Sequence, residues 1–107
     1  MKGFQITFFT QQDRKHAGKQ LAEWLLQFAQ AHGTRGATIL AGSESFGRDS
    51  HFHSAHFFEL ADQPIEVTMA VDEKTADTLF DALAKEGVSV FYVKTAVEFG
   101  SIGTPES

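Results

Sequence analysis

Cysteine is absent from this 107-residue chain. Its absence excludes disulfides, thiolate zinc centres, iron–sulfur clusters and thiol nucleophiles together, and it permits a reducing compartment. Long apolar runs are missing too. No stretch approaches the roughly 20 apolar residues that a membrane-crossing helix needs, and the opening MKGFQITFFTQQ lacks the apolar region of a secretory signal. The expectation is a cytoplasmic protein that is not membrane-embedded. Cations are scarce: nine Lys+Arg stand against fourteen Asp+Glu, for a net charge of -5. Without a broad basic face to neutralise phosphates, no nucleic-acid partner is expected, although one small anion site remains compatible. Catalytic signatures are lacking as well, with no GxSxG elbow, no HExxH and no carboxylate pair brought together by spacing. Glu23, Asp77, Asp81 and Glu86 fall on the polar faces of predicted helices, so the chain is not expected to be an enzyme.

Phenylalanine, by contrast, is abundant: Phe 11 against Trp 1 and Tyr 1. With 42% hydrophobic and 21% charged residues the composition is that of a soluble globular domain, and the length allows one domain, assigned to residues 1–99. So many large rings in so small a domain point to burial against another subunit as well as in its own core. Residues 100–107 are small and polar and read as a flexible tail.

Periodicity supplies the elements. Phe4, Ile6 and Phe8 alternate with Gln5 and Thr7, a strand over 4–10 with one buried face. Leu21, Trp24, Leu25, Phe28 and Ala29 make the stripe of a helix that Gly33 and Gly36 end. Residues 37–41 form a short apolar run, read as a strand buried or paired on both sides. Residues 42–50 read as loop, 51–60 as a further strand, and 61–64 as a turn. Ile65, Val67, Met69 and Val71 mark the cleanest strand, and Asp72 is placed to cap a helix with Ala76, Leu79, Phe80, Leu83 and Ala84 inward. Gly87 stops that helix, and 88–97 gives the last strand. The order is βαββαβ with an insertion, which predicts an α+β, ferredoxin-like sandwich. Right-handed crossovers place both helices on one face of the sheet, leaving Phe9, Phe91 and Val93 on the other for further copies of the chain to cover.

Three local groupings bear on chemistry. Gly42-Ser43-Glu44-Ser45-Phe46-Gly47-Arg48-Asp49 narrowly misses a phosphate-cradling P-loop: arginine replaces the lysine, aspartate the hydroxyl, and no helix follows. Gly47 would still let the backbone approach a ligand, and Arg48 could grip a phosphate or carboxylate bidentately; the competing reading is a surface loop with a solvated arginine. Lys19, read in the first turn of the first helix, is disfavoured there by the helix dipole, which marks either an anion site or a side chain reaching solvent. His51 and His53 share a strand face, with His56 on the other. Two ligands make no site without a third, but one histidine per subunit around a threefold axis could hold a metal. Ordinary loop-edge histidines are the alternative.

The segment Gly36-Ala37-Thr38-Ile39-Leu40-Ala41-Gly42-Ser43-Glu44-Ser45-Phe46-Gly47 resembles the GATVLRGxxGFG signature of the PII-like DUF190 proteins. His16-Ala17-Gly18-Lys19-Gln20-Leu21 is similar to that family's HGKPLYEAI, and Pro64-Ile65-Glu66-Val67-Thr68-Met69-Ala70-Val71-Asp72 to its PVVIEIVD. More remotely, Phe46-Gly47-Arg48-Asp49 resembles the GFGRQ opening of the T-loop in PII signal transducers. The resemblance implies a homotrimeric regulatory protein with a T-loop-like segment between the second and third core strands. It further implies an adenine nucleotide or small anion between subunits, Thr38 near that ligand, and a partner protein such as a membrane transporter or channel. Where PII proteins carry TGxxGDGK, this chain runs straight through Lys85-Glu86-Gly87-Val88, and Lys94 alone replaces the RxR of their last strand. A ligand with fewer phosphates than ATP is implied. The rival readings are a ferredoxin-like oligomer holding metal through His51 and His53, and a small enzyme of the dimeric ferredoxin-like barrel type.

Overall fold

The computed structural model describes residues 1–41 and 63–103. Along the chain come β1 (Lys2–Gln11), the short strands β2 (Lys15–His16) and β3 (Lys19–Gln20), helix α1 (Leu21–Ala31) and β4 (Ala37–Ala41). They are followed by β5 (Pro64–Asp72), helix α2 (Glu73–Glu86) and β6 (Phe91–Glu98). The main sheet has the order β4-β5-β1-β6, every neighbour antiparallel, so β1 is hydrogen-bonded along both edges. This is the predicted ferredoxin-like plan. The strand expected over 51–60 lies outside the described residues.

The core is one-sided. Ile6 and Phe8 from β1 stand opposite Met69 and Val67 of β5, and all four are buried with Leu21 and Leu25 of α1 and Leu79 and Leu83 of α2. Both helices therefore cover the same sheet face. Trp24, Phe28 and Phe80, expected inward, pack only partly buried at the margin of this cluster. Gly3 fixes one end of the sheet, because a Cβ there would lie 2.0 Å from the Val71 carbonyl oxygen, a separation no side chain can take. The next residue along, Asp72, caps α2 by accepting from the Thr75 N–H at 2.7 Å, and Gly87 closes the helix at φ 73°.

Three expectations need correction. β4 is an edge strand, paired only with β5 among the described residues and largely exposed, rather than buried or paired on both sides; a five-residue apolar run does not reveal which of its edges is occupied. The last strand begins at Phe91, because Val88 and Val90 pack on the core from the connection while Arg14 donates to the Ser89 carbonyl at 2.7 Å. Lys19 belongs to β3, before the helix rather than in its first turn. The β2–β3 hairpin turns through Ala17 and Gly18, both at positive φ (54° and 81°), as a tight two-residue hairpin requires.

Two outcomes follow for stability. The buried Thr10 hydroxyl has no hydrogen-bond partner among the described residues, so Thr10→Val, which keeps the shape and removes the orphaned group, should stabilise the protein by about 1 kcal/mol in urea unfolding. The Thr75 backbone N–H, then the Thr75 hydroxyl, and more weakly Lys74 hold the Asp72 carboxyl below the usual carboxylate range. A depressed folded-state value contributes stability above the unfolded carboxylate range that is lost as pH falls through the folded value. The melting temperature of Asp72→Ala should therefore lie below wild type at neutral pH and converge with it in acid.

Candidate functional site

On the face away from the helices, register arranges the side chains in rows across all four strands. Leu40, Glu66, Phe9 and Phe91 form one row; Thr38, Thr68, Thr7 and Val93 the next; Ala70, Gln5 and Thr95 a third. The first is mostly apolar, with Phe9 and Phe91 at 5.7 Å between ring centroids and Phe91 still 68% exposed. Polar groups dominate the centre, where the Thr7 and Thr68 hydroxyls share a hydrogen bond of 3.1 Å. The predicted Phe9, Phe91 and Val93 thus do stand on the open face.

Toward the Gly36 end this face hollows into an open groove of about 580 Å³. Thr38, Thr68 and Gln5 line it together with Gly36, Val97, Glu98 and Phe99. Among the described residues, neither lysine nor arginine belongs to its lining. Chemically the groove offers hydroxyls, an amide and a ring, with Glu98 as its one acidic residue, which suits a neutral, hydrogen-bonding moiety rather than a bare anion. A smaller hollow of about 170 Å³ adjoins it, sharing Ala70 and Phe99, and is lined by Arg35, Asp72 and Thr75.

Of the residues singled out from sequence, Thr38 lies in this groove, opposite Thr68, as the outward parity beside Ile39 requires. Lys19 does not line it; its ammonium donates to the Gln27 side chain on α1. Gly47, Arg48, His51 and His53 lie outside the described residues. Among the described residues no cluster of three or more His, Cys, Asp or Glu could hold a metal. Lys94, the final-strand cation, sits on the helix side, its ammonium 4.4 Å from the Phe4 ring centroid and 5.2 Å from that of Phe80, and it takes no part in the groove. Arg35 escaped sequence reasoning. Its one signal was a cation directly before Gly36-Ala37-Thr38, at the head of the strand that lines the groove.

The model of the family DUF190, described as "Uncharacterized ACR, COG1993", matches residues 3–97. No curated protein sequence matches the chain. Among solved structures it is similar to a PII-like signaling protein from Thermus thermophilus, at 17% identity and TM-score 0.63, covering 91% of this chain and 88% of that one. It is also similar to CPII from Thiomonas intermedia, a nitrogen regulatory PII-like protein. The structure of CPII bound to ADP, AMP and acetate gives 18% identity and TM-score 0.59, covering 94% and 90% of the two chains. That bound to ADP, AMP and bicarbonate gives 18% identity and TM-score 0.57, covering 94% and 97%. These likenesses identify the fold as PII-like. Among the described residues no helix is long and apolar enough to cross a membrane.

Proposed function

The chain belongs to the DUF190 family, and on that footing we propose that it is a regulatory protein that binds an adenine nucleotide, with ADP or AMP favoured over ATP, in a cleft between subunits. The observation that carries this reading is the groove around Thr38, whose described lining holds hydroxyls and an amide but no lysine or arginine. Thr38, Thr68 and Gln5 supply hydrogen-bonding groups suited to a ribose and base, and Val97 and Phe99 supply apolar surface. The charged part of the ligand has to meet its cations elsewhere. Arg35, in the adjoining hollow, is one. Arg48 is another, with the backbone at Gly47 as a neutral donor, consistent with the resemblance of their segment to a T-loop. CPII, which shares the fold, binds ADP and AMP together with bicarbonate, and a small anion of that kind is a second candidate ligand.

Self-association completes the cleft. The row of Leu40, Phe9 and Phe91 leaves large apolar groups in water on a four-stranded sheet whose other face is covered, and a homotrimer that faces these sheets inward would bury them. Ligand occupancy would then alter residues 43–63 and their contact with a partner protein, for which a membrane transporter or channel is the candidate class. The reading is of a cytoplasmic, non-enzymatic protein.

Calorimetry with ADP, AMP, ATP and bicarbonate, singly and in pairs, tests the ligand. ADP or AMP should bind, ATP more weakly, and Thr38→Val should weaken binding roughly three- to tenfold through loss of one hydroxyl. Binding unchanged in that variant, or none by any of the four, overturns the assignment. Light scattering should return three times the mass of the chain for the wild type and a lower mass for Phe91→Glu, and a monomeric wild type would leave no intersubunit cleft.

A further inference from the structure

A second set of side chains, beyond the far end of the sheet from Gly3, is not used by the ligand reading. The β2–β3 hairpin leans on both helices through His16. The imidazole meets the indole of Trp24 on α1 edge-on, at 4.3 Å between centroids, and its Nε2 stands 3.7 Å from a carboxylate oxygen of Glu86 at the end of α2. Trp24 in turn stacks on Phe28 at 4.6 Å, so the imidazole caps an aromatic column along α1.

We propose that His16 is a protonation-controlled fastener of this hairpin, holding it against α1 and α2 when the imidazole is charged and loosening it when neutral. Both of its contacts change in the same direction. An imidazolium gains an ion pair with Glu86 and a cation–π contact with Trp24; a neutral ring has neither. The other charged groups around it are Lys19, directly across the hairpin, Arg14 and Lys15 on its own side, Lys85 beside Glu86, and Glu23 beside Trp24. Lys19 opposes the charge on the imidazolium. Among the described residues Glu86 is the carboxylate in reach of the imidazole, and neither it nor His16 is fully exposed, so the ion pair acts in less than fully solvated surroundings.

Besides His16, the hairpin is tied to α1 by the Lys19 ammonium donating to the Gln27 side chain, and its root is held by Arg14 on the Ser89 carbonyl and the Gln20 amide on the Gln12 carbonyl. Its ladder is two residue pairs long, and its turn places Ala17, which carries a Cβ, at φ 54°. The Leu21 N–H donates to the Arg14 carbonyl at 2.8 Å, closing the hairpin on the first residue of α1. At its root the Gln12 N–H donates to the Gln63 carbonyl at 3.0 Å, just ahead of β5. With a ladder this short, local opening of the hairpin is where one added ion pair would act.

Trp24 is the chain's only tryptophan, so its emission reads the His16 contact directly. Lowering the pH of the intact protein from about 8 to about 5.5 should quench Trp24 where the imidazolium forms beside it. The quenching step should vanish in His16→Gln. Over the same range the Leu21 amide, corrected for intrinsic exchange, should become roughly two- to fivefold better protected in acid, and Glu86→Gln should reduce this gain while retaining the quenching step. A step surviving in His16→Gln assigns the titration to another group and overturns the proposal. So does Leu21 protection that is equal at the two pH values, or a gain that Glu86→Gln leaves at wild-type size.

Discussion

Because β1 is hydrogen-bonded along both edges, its alternation is imposed on the whole sheet. Its even-numbered residues, Phe4, Ile6, Phe8 and Thr10, point to the helices, and its odd-numbered residues point away. Register then leaves no freedom to the neighbours: Val67 and Met69 must face the core, and Thr68, Phe91 and Val93 must face outward. A slip of one residue would reverse every one of these assignments and bring Gln5 and Thr7 into the core, which is why the pairing is strongly specified. Gly3 reinforces it, since β1 can approach Val71 and Asp72 as it does only where no side chain intervenes.

The open face follows from the same constraint and divides along its length. Aromatic and aliphatic groups gather at the Leu40–Phe91 end, which calls for a covering surface, while hydroxyls and the Gln5 amide gather toward Gly36, where the groove lies. An assembly that buries the first row against other subunits would leave the groove at its margin. Under the proposed function, association and ligand binding would both fall on one sheet face, with Thr38 in the row between the apolar end and the Gly36 end.

Much of this was legible in the sequence, for reasons that differ from element to element. The period-two runs of β1 and β5 and the capping of α2 by Asp72 are short-range signals, and the structure realises them as read. The parity of Thr38 followed from that of Ile39. What escaped left no period or turn residue to announce it, or was set by a partner distant in sequence. The β2–β3 hairpin has strands too short to show any period, and its turn uses alanine where glycine or asparagine would have announced it. Lys19 looked like a helix residue because the apolar stripe begins at Leu21, yet the hairpin intervenes. Trp24 and Phe28 share the helical spacing of Leu21 and Leu25 but sit at the edge of the packed stripe, where they build a column with His16 rather than fill the core. The start of β6 was displaced by Arg14, from a part of the chain 75 residues away.

Charge explains why the groove alone cannot select an anion. The chain carries a net charge of -5, and the groove's lining includes Glu98 without a described cation. At physiological ionic strength a charge is felt over about 8 Å, so the scattered lysines of the far surface cannot offset that local deficit. Lys94 is turned to the opposite side of the sheet, and Lys19 is engaged with Gln27. Any attraction for phosphate must come from groups near the groove, and Arg35 in the adjoining hollow is the described residue placed to supply it. Its charge is partly offset by Asp72 in the same hollow, whose carboxyl the α2 amide keeps ionised. One described cation so offset suits a ligand of low charge, which is the expectation that the resemblance to PII proteins also carried.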